Sequence, residues 1–204
     1  MSLDDWYFVF VSVCLVLILT ACIPVIMAFT PSREEPFFAL AILGEEGMAE
    51  HYYPGDDPNI IVGQLVRWNI FIYNHMGEAQ YVAVQVKLLN STMSAPNSTT
   101  CTPSPAPVVY EARRIALDNE TLLLPFSWSI TEVEQEGNFL NVNSISVNDE
   151  TVDIHAVAGY GCDYRLVLEL WVYDKDLGDF QFGWGYRDER SCTWNQVWFN
   201  VISS

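Results

Sequence analysis

The chain has 204 residues, and its 9 Lys and Arg against 26 Asp and Glu give a formal net charge of -17 at pH 7. Such a charge repels nucleic-acid phosphates and anionic membrane surfaces, so the composition excludes a nucleic-acid-binding protein. It favours solubility and attracts cations and basic protein partners, but it gives no information about the fold.

Near the N-terminus, the run WYFVFVSVCLVLILTACIPVIMAF (residues 6–29) contains no charged residue. Because about 20 apolar residues cross a ~30 Å hydrocarbon layer as a helix, the run predicts a single transmembrane helix. It is preceded by a short tail, residues 1–5, and followed by a polar linker, residues 30–36.

Three other interpretations of this run fit less well. A cleaved signal peptide begins with basic residues, whereas this chain begins with Asp4 and Asp5. A lipoprotein signal ending at Cys22 would not be followed by seven more apolar residues, 23–29. A buried core helix would be shorter. We therefore expect a single-pass cell-membrane protein with a cytoplasmic N-terminus.

The remaining residues, 37–204, predict one extracytoplasmic domain, because they carry three N-glycosylation sequons, none of which has a central proline. The predicted glycan acceptors are Asn90, Asn97 and Asn119. Two of them lie in the loop-like sequence NSTMSAPNSTTCTPSPAP, where a glycan would not disturb a core.

Three cysteines in this domain, Cys101, Cys162 and Cys192, allow one disulfide and one remaining thiol. The sequence does not select the pair. We predict a bridge between Cys162 and Cys192, with Cys101 as the alternative partner.

The domain begins with EPFFALAILG, in which Phe38, Leu40 and Ile42 share one parity and predict a strand with one buried face. Two longer runs, LVRWNIFIYN and QYVAVQVKLL, are joined by HMGEA and predict a hairpin. Alternation in the second run assigns one face to solvent and one to a core, with Tyr81, Ala83, Gln85 and Lys87 set against Val82, Val84, Val86 and Leu88. Residues 90–107 are too polar and proline-rich to pack, and they predict a long exposed loop.

Six further segments are rich in β-branched and aromatic residues and are separated by Gly, Asn or Asp turns. They are VVYEARRIAL, TLLLPFSWSITEVE, SISVNDETVDIHAVA, YRLVLELWVYDK, DFQFGWGYR and TWNQVWFNVIS. About nine closely spaced strands favour an all-β fold, an immunoglobulin-like antiparallel β-sandwich. A closed barrel is the alternative.

The runs EPFFALAILGEEGMAEHYYP, IIVGQ and IYNHMGEAQYVAVQV resemble the opening of the ectodomain in an archaeal family of membrane proteins defined only as a domain of unknown function. The later segments LDNETLLLPFSWSI and CDYRLVLELWVY are similar to that family's later strands. The chain departs from the family in having one span, where many relatives carry several, and a long Ser/Thr/Pro insertion. The resemblance implies an extracytoplasmic β-sandwich in an archaeal envelope, and it supplies no catalytic residue.

One turn, DKDLGD, carries three carboxylates, Asp174, Asp176 and Asp179, which are the oxygen ligands that Ca²⁺ prefers. The turn lacks the spacing and distal Glu of a calcium loop, so Ca²⁺ is predicted from the ligand chemistry alone, and no other cofactor is predicted. The sequence has no GxSxG motif, phosphate-binding glycine loop or recognisable cysteine nucleophile. We therefore predict a protein that is not an enzyme.

Aromatic residues are concentrated in the last quarter of the chain, at both parities of their strands. Some of them must then face outward, unless both faces of the sheet are covered, and exposed aromatics beside Arg187 and Arg190 are typical of protein contact surfaces. Carbohydrate stacking is the competing use. The predicted interface residues are Trp184, Tyr186, Trp194 and Trp198.

Together these features predict a structural or accessory subunit of a larger envelope or membrane assembly that acts through protein–protein contacts. Its predicted partners are other membrane or envelope proteins, or a second copy of the chain, with membrane lipid around residues 6–29. The alternative is a ligand- or metal-binding domain accessory to a membrane oxidoreductase or transporter.

Overall fold

The computed structural model describes residues 3–29, 35–186 and 189–203, and within the N-terminal helix it describes the side chains of residues 6–22. The chain divides into two compact units, Met1–Glu35 and Pro36–Ser204. The predicted domain boundary at residue 37 is close to this division.

The first unit contains one helix, α1 (Leu3–Phe29). The predicted transmembrane helix, residues 6–29, falls within α1, which also takes in part of the predicted tail. The side chains of residues 23–29 and the linker residues 30–34 lie outside the described part of the chain. Among the described residues, no helix is both long enough and apolar enough to cross a membrane, so the predicted span is not confirmed.

The second unit is built from β-strands and one short 3₁₀ turn (Pro54–Asp56). The strands are β1 (Phe37–Leu43), β2 (Asn59–Ile61), β3 (Val66–His75), β4 (Gln80–Leu89), β5 (Val108–Ala116), β6 (Thr121–Glu136), β7 (Phe139–Val147), β8 (Glu150–Gly159), β9 (Tyr164–Asp174), β10 (Asp179–Phe182), β11 (Trp184–Tyr186), β12 (Glu189–Ser191) and β13 (Trp194–Ile202).

Two main sheets make up the domain. Sheet A has the order β1-β3-β6-β7-β8 and sheet B the order β2-β13-β9-β4-β5, with β10 also paired to β9. Neighbouring strands run antiparallel except for β2 and β13. The all-β, antiparallel prediction is confirmed, and the alternative of a closed barrel is wrong because both sheets end in edge strands.

The core lies between the two sheets and follows from side-chain alternation along each strand. In β1, Phe38, Leu40 and Ile42 are buried as predicted. Trp128 of sheet A packs on Phe199 of sheet B with ring centroids 4.7 Å apart, so aromatic contacts join the two inner faces.

The predicted hairpin of β3 and β4 is wrong. β3 pairs with β1 and β6 in sheet A, whereas β4 pairs with β5 and β9 in sheet B. Their connection turns a corner between sheets around Asn74, which is fully buried. Its Nδ2 donates to the carbonyls of Glu78, Ala116 and Leu117. Alternation predicts strands, but it cannot say which strands share hydrogen bonds.

Candidate functional site

Residues 90–107 pack on the outer face of sheet B, contrary to the prediction of an exposed loop; we call them the covering loop. Ala106 joins Leu89 of β4 and Val167 of β9 in a small apolar cluster, against which Met93 and Trp194 pack. Ala83 and Lys87, predicted to face solvent, are 0% and 3% exposed. The covering loop therefore turns this part of the outer face into a second interior.

A buried ion pair lies under the covering loop. Nζ of Lys87 is 2.9 Å from Oε2 of Glu169, and their side chains are 4% and 0% exposed. Lys87 also donates to the carbonyl of Ser104 at 2.7 Å, while the Ser104 amide donates to Oε1 of Glu169 at 2.7 Å. Trp171 Nε1 adds a third donor to the carboxylate at 3.1 Å. Buried charges require such partners, so the pair satisfies the polar groups of the covering loop.

Arg165 makes a second attachment for the covering loop. One guanidinium nitrogen donates to the carbonyl of Met93 at 2.7 Å and the other to Oε1 of Gln196 at 2.9 Å. The guanidinium lies 4.6 Å from the ring centroid of Trp198, a cation–π distance. Burial lowers the pKa of Arg165, but an arginine remains charged at any physiological pH.

The four predicted interface residues do not form one exposed surface. Trp184 is buried and packs edge-on against Phe38, with centroids 5.3 Å apart, so its assignment to an outer surface is wrong. Trp194 is half-buried and donates to the Ser98 hydroxyl of the covering loop at 2.8 Å. Tyr186 is half-buried, and Trp198 is 41% exposed.

A different set of side chains forms an exposed apolar row, which we call the aromatic row. It crosses four neighbouring strands of sheet B, because Ile115 pairs with Tyr81, Tyr81 lies beside Tyr173, and Tyr173 pairs with Phe180. The rings of Tyr81, Tyr173 and Phe180 lie 5.0–5.9 Å apart. Ile115, Tyr81 and Tyr173 are 65%, 40% and 39% exposed. The Arg113 guanidinium lies 4.9 Å from the Phe180 ring centroid.

The sequence contained a signal for this row. Tyr81 and Tyr173 have the opposite parity to Val82 and Val172, which are buried in the core. Each tyrosine therefore had to lie on an outer face, but the pairing of β4 with β9 was needed to place them side by side.

Beside the row, a cleft of about 600 Å³ opens at one end of the domain, which we call the end cleft. It lies between the β3–β4 connection, the β9–β10 turn and β11. Its lining combines aromatic rings with side-chain amides and a charged group, from Gln80, Tyr81, Tyr173, Gln181, Trp184 and Arg190. Among the described residues, Nε1 of Trp184 has no hydrogen-bond partner although it is buried. A buried donor without an acceptor costs free energy unless a ligand or water supplies one.

Two of the three predicted calcium ligands accept hydrogen bonds from backbone amides near them in sequence. Oδ1 of Asp174 accepts from the amides of Asp176 and Leu177 at 2.8 and 3.2 Å, and Oδ1 of Asp179 accepts from the Phe180 amide at 2.7 Å. No group of three potential ligands occurs among the residues that the structure describes. The calcium prediction for this turn stays a prediction, with one oxygen of Asp174 and one of Asp179 already bonded to the backbone.

The predicted Cys162–Cys192 bridge is wrong, because the two cysteines lie at opposite ends of the β9–β13 pairing. The register of β9 and β13 pairs Tyr164 with Phe199 at one end and Glu169 with Trp194 at the other. Cys162 precedes the first pair and Cys192 the second, so at ~3.4 Å per residue they are separated by more than about 17 Å. A disulfide requires Cα atoms within ~7 Å of each other.

The three sequons differ in accessibility. Asn90 is buried, and its Nδ2, the atom that would carry a glycan, donates to the Val157 carbonyl at 2.7 Å. Asn90 is therefore closed to modification in the folded domain. Asn97 and Asn119 are exposed and remain predicted acceptors, although Asn119 Nδ2 donates to Asp118 at 2.8 Å.

No protein-family model and no curated protein matches the chain, so the archaeal resemblance stays a prediction. Among solved structures, the chain is similar to the CARDB domain of a Pyrococcus furiosus protein in complex with di-metal ions, at 11% identity and a TM-score of 0.39, over 83% of this chain and 90% of that one. It is also similar to β-glucosidase from Listeria innocua in complex with glucose and with gluconolactone. Those two similarities have 13% identity and TM-scores of 0.32 and 0.34, and each covers 61% of this chain and 16% of the glucosidase. None of these similarities carries a function to this chain.

Proposed function

We propose that the domain is a non-enzymatic binding module, the structural or accessory subunit of a larger membrane or envelope assembly, and that it contacts a protein partner through the aromatic row. The observation that supports this most is the exposure of Ile115, Tyr81 and Tyr173 in one continuous row. Contiguous exposed apolar residues are uncommon on monomeric proteins and are typical of contact surfaces.

Charge indicates the chemistry of the partner. The chain carries a net charge of -17, and the acidic residues Asp174 and Asp179 directly adjoin Tyr173 and Phe180 in sequence. Two copies of so acidic a chain would repel each other, so a self-interface is disfavoured. The partner that fits has an apolar centre surrounded by Lys and Arg side chains.

The cellular setting in this proposal rests on the sequence. The uncharged run of residues 6–29 supports a membrane anchor, and the sequons at Asn97 and Asn119 support a glycosylated, extracytoplasmic domain. The ectodomain motif supports an archaeal envelope, and the two-sheet architecture is consistent with an immunoglobulin-like sandwich. Alkaline carbonate extraction of native membranes tests the anchor, because a peripheral protein would be released into the supernatant.

The test of the function is affinity purification of the full chain from its native membranes. We expect a stoichiometric partner with wild type, and we expect the Tyr81→Ser/Tyr173→Ser variant to lose it. The matched control is Tyr160→Ser, because Tyr160 is 76% exposed but lies at the β8–β9 turn, outside the row. A wild-type chain that purifies alone as a monomer, or a partner retained by the double variant, would contradict the proposal. A homodimer would overturn the charge argument.

The second candidate is a small-ligand-binding domain, accessory to a membrane oxidoreductase or transporter, with its ligand in the end cleft. The observation that favours it is the combination of aromatic rings with the side-chain amides of Gln80 and Gln181 in the cleft lining. Aromatic rings beside Gln80 and Gln181 suit a neutral sugar, whose hydroxyls accept and donate hydrogen bonds.

Calorimetric titration with a panel of mono- and oligosaccharides, and separately with Ca²⁺, tests this second candidate. Gln181→Leu keeps a side chain of similar size but removes the amide, and it should weaken sugar binding by about tenfold, the worth of one hydrogen bond of ~1.4 kcal/mol. No heat with any sugar would remove the sugar-binding form of this candidate. Heat with Ca²⁺ would instead indicate a metal-binding domain.

A further inference from the structure

Two cysteines far apart in sequence meet at the edge of the covering loop. Cys101 belongs to the loop, whereas Cys192 directly follows β12. Cys101 Sγ lies 3.9 Å from the carbonyl oxygen of Ser98, and Cys192 Sγ lies 3.6 Å from that same oxygen. Both sulfur atoms therefore approach the same carbonyl oxygen, which places them close to each other.

From this convergence we propose that Cys101 and Cys192 form a disulfide that fastens the covering loop over the Lys87–Glu169 ion pair. The position fits such a bridge, because Cys101 lies between Ser98 and Ser104, the residues through which Trp194, Lys87 and Glu169 hold the loop. A covalent link here would add to those hydrogen bonds. It would join the covering loop to the short connection between β12 and β13.

The backbone at Cys192 is closely packed, which fixes the position of this cysteine beside the covering loop. Gly183 has a φ of +85°, and a Cβ on it would lie 2.1 Å from the Ser191 carbonyl oxygen and 2.7 Å from the Cys192 Cβ. The backbone carrying Cys192 therefore packs closely against Gly183, the residue between β10 and β11. Cys162 has no such setting, since it is exposed at the β8–β9 turn.

The chemistry is thiol–disulfide exchange with a disulfide-containing oxidant. One cysteine, as a thiolate, attacks a sulfur of the oxidant, forming a mixed disulfide and releasing one thiol. The second cysteine loses its proton and attacks the protein sulfur of the mixed disulfide, forming the Cys101–Cys192 bond and releasing a second thiol. The protein loses two protons and two electrons, and the oxidant is reduced to two thiols.

The folded, reduced domain should react slowly. Burial raises the pKa of the Cys192 thiol to about 12, and the neighbouring Cys101 contributes to the rise. Little thiolate is then present at neutral pH, and thiolate is the attacking species. We expect the bridge to form while the loop is open, during folding or on partial unfolding, and to persist once the loop has docked.

The experiment uses the full chain, refolded with oxidised glutathione and blocked with iodoacetamide. Non-reducing peptide mass spectrometry should show Cys101 joined to Cys192, with Cys162 alkylated. Reduction should lower the Tm by about 10 °C, as expected for loss of a bridge in a domain of this size. It should also speed hydrogen exchange at the Ser104 amide, which donates to Glu169 under the loop.

The Cys101→Ser and Cys192→Ser variants should each lose the dependence of Tm on reductant. The matched control, Cys162→Ser, should keep it. Alkylation of both Cys101 and Cys192 after oxidation, or a bridge that includes Cys162, would overturn the proposed pairing. A Cys101–Cys192 bridge whose reduction changes neither the Tm nor Ser104 exchange would overturn its role in holding the loop.

Discussion

Lys87 and Glu169 form an ion pair that is sealed from solvent by a segment whose composition predicts a loop in water. Nζ and Oε2 are 2.9 Å apart, and Ser104 of the covering loop bonds to both residues through its carbonyl and its amide. The pair thus replaces the water that would otherwise solvate the loop backbone. It links two neighbouring strands of sheet B to the segment that covers them.

Removing one member of this pair should be costly. Lys87→Met leaves the Glu169 carboxylate buried without its cation, and we expect a loss of about 3–5 kcal/mol in the free energy of unfolding, measured with urea. The control is Arg67→Met, because Arg67 and Glu45 form an exposed pair at 3.7 Å that should contribute no more than about 0.5 kcal/mol.

The double variant Lys87→Met/Glu169→Met separates charge from packing. It should lose less than the two single variants together, since no uncompensated charge remains. Strict additivity of the three measurements would show that the two residues stabilise the domain independently and would contradict an ion pair.

Gly183→Ala tests the close approach of Gly183, between β10 and β11, to the segment that carries Cys192. The new Cβ would lie 2.1 Å from the Ser191 carbonyl oxygen. Gly178→Ala is the matched control, because Gly178 also has a positive φ, +69°, but has nothing within 4 Å of its Cβ position. We expect the control to lose about 1–2 kcal/mol from backbone strain. Gly183→Ala should lose a further ~1–3 kcal/mol from overpacking. Equal losses in thermal or urea unfolding would show that no close contact exists.

Asn74→Ala tests the corner between the two sheets. The side-chain amide of Asn74 donates to the carbonyls of Glu78, Ala116 and Leu117 and its Oδ1 accepts from the Met76 amide, so four backbone groups lose a partner. We expect a loss of about 2–4 kcal/mol in the free energy of unfolding, because buried polar groups without partners are costly. Asn138→Ala, at the exposed β6–β7 turn, should change it by less than about 0.5 kcal/mol. Similar effects of the two substitutions would contradict a structural role for Asn74.

His51 and Asp56 should give the domain a small pH dependence. Nδ1 of His51 lies 2.7 Å from Asp56 Oδ1, and the hydrogen bond and charge of Asp56 raise the pKa of His51 above its usual 6.5. A pKa that is higher in the folded state stabilises the fold fully below about pH 6.5, and the contribution is lost as the pH rises through the raised value.

Asp56→Asn removes the charge and keeps a residue that tolerates the positive φ of 58° at this position. NMR titration of the His51 imidazole should give a lower pKa in this variant than in wild type. The difference in unfolding temperature between the two proteins should shrink as the pH rises. An unchanged His51 pKa would show that the pair does not form in solution.

The local sequence pattern was sufficient to predict where the strands lie, but it did not predict which strands pair. The parity of Phe38, Leu40 and Ile42 predicted their burial, because alternation is a local property of an extended chain. The same reasoning failed at β3 and β4, since two adjacent strands can continue into different sheets when a residue such as Asn74 satisfies the backbone at the corner.

The candidate site was less predictable than the fold. The sequence indicated exposed aromatics, but it assigned Trp184 to the surface, where Tyr81 and Tyr173 belong. Burial of Trp184 depends on its contact with Phe38, which is distant in sequence, and no local pattern records such a contact.

By itself, the sequence determined the acidity of the chain, the uncharged N-terminal run and the β-rich domain after residue 37, because charge, hydropathy and two-residue periodicity are properties of the local chain. Only the tertiary structure decided that residues 90–107 cover Lys87 and Glu169, that Cys192 meets Cys101, and that Tyr81 and Tyr173 lie side by side. These relationships arise from strand register and side-chain packing between segments far apart in sequence, which become adjacent only when the sheets assemble.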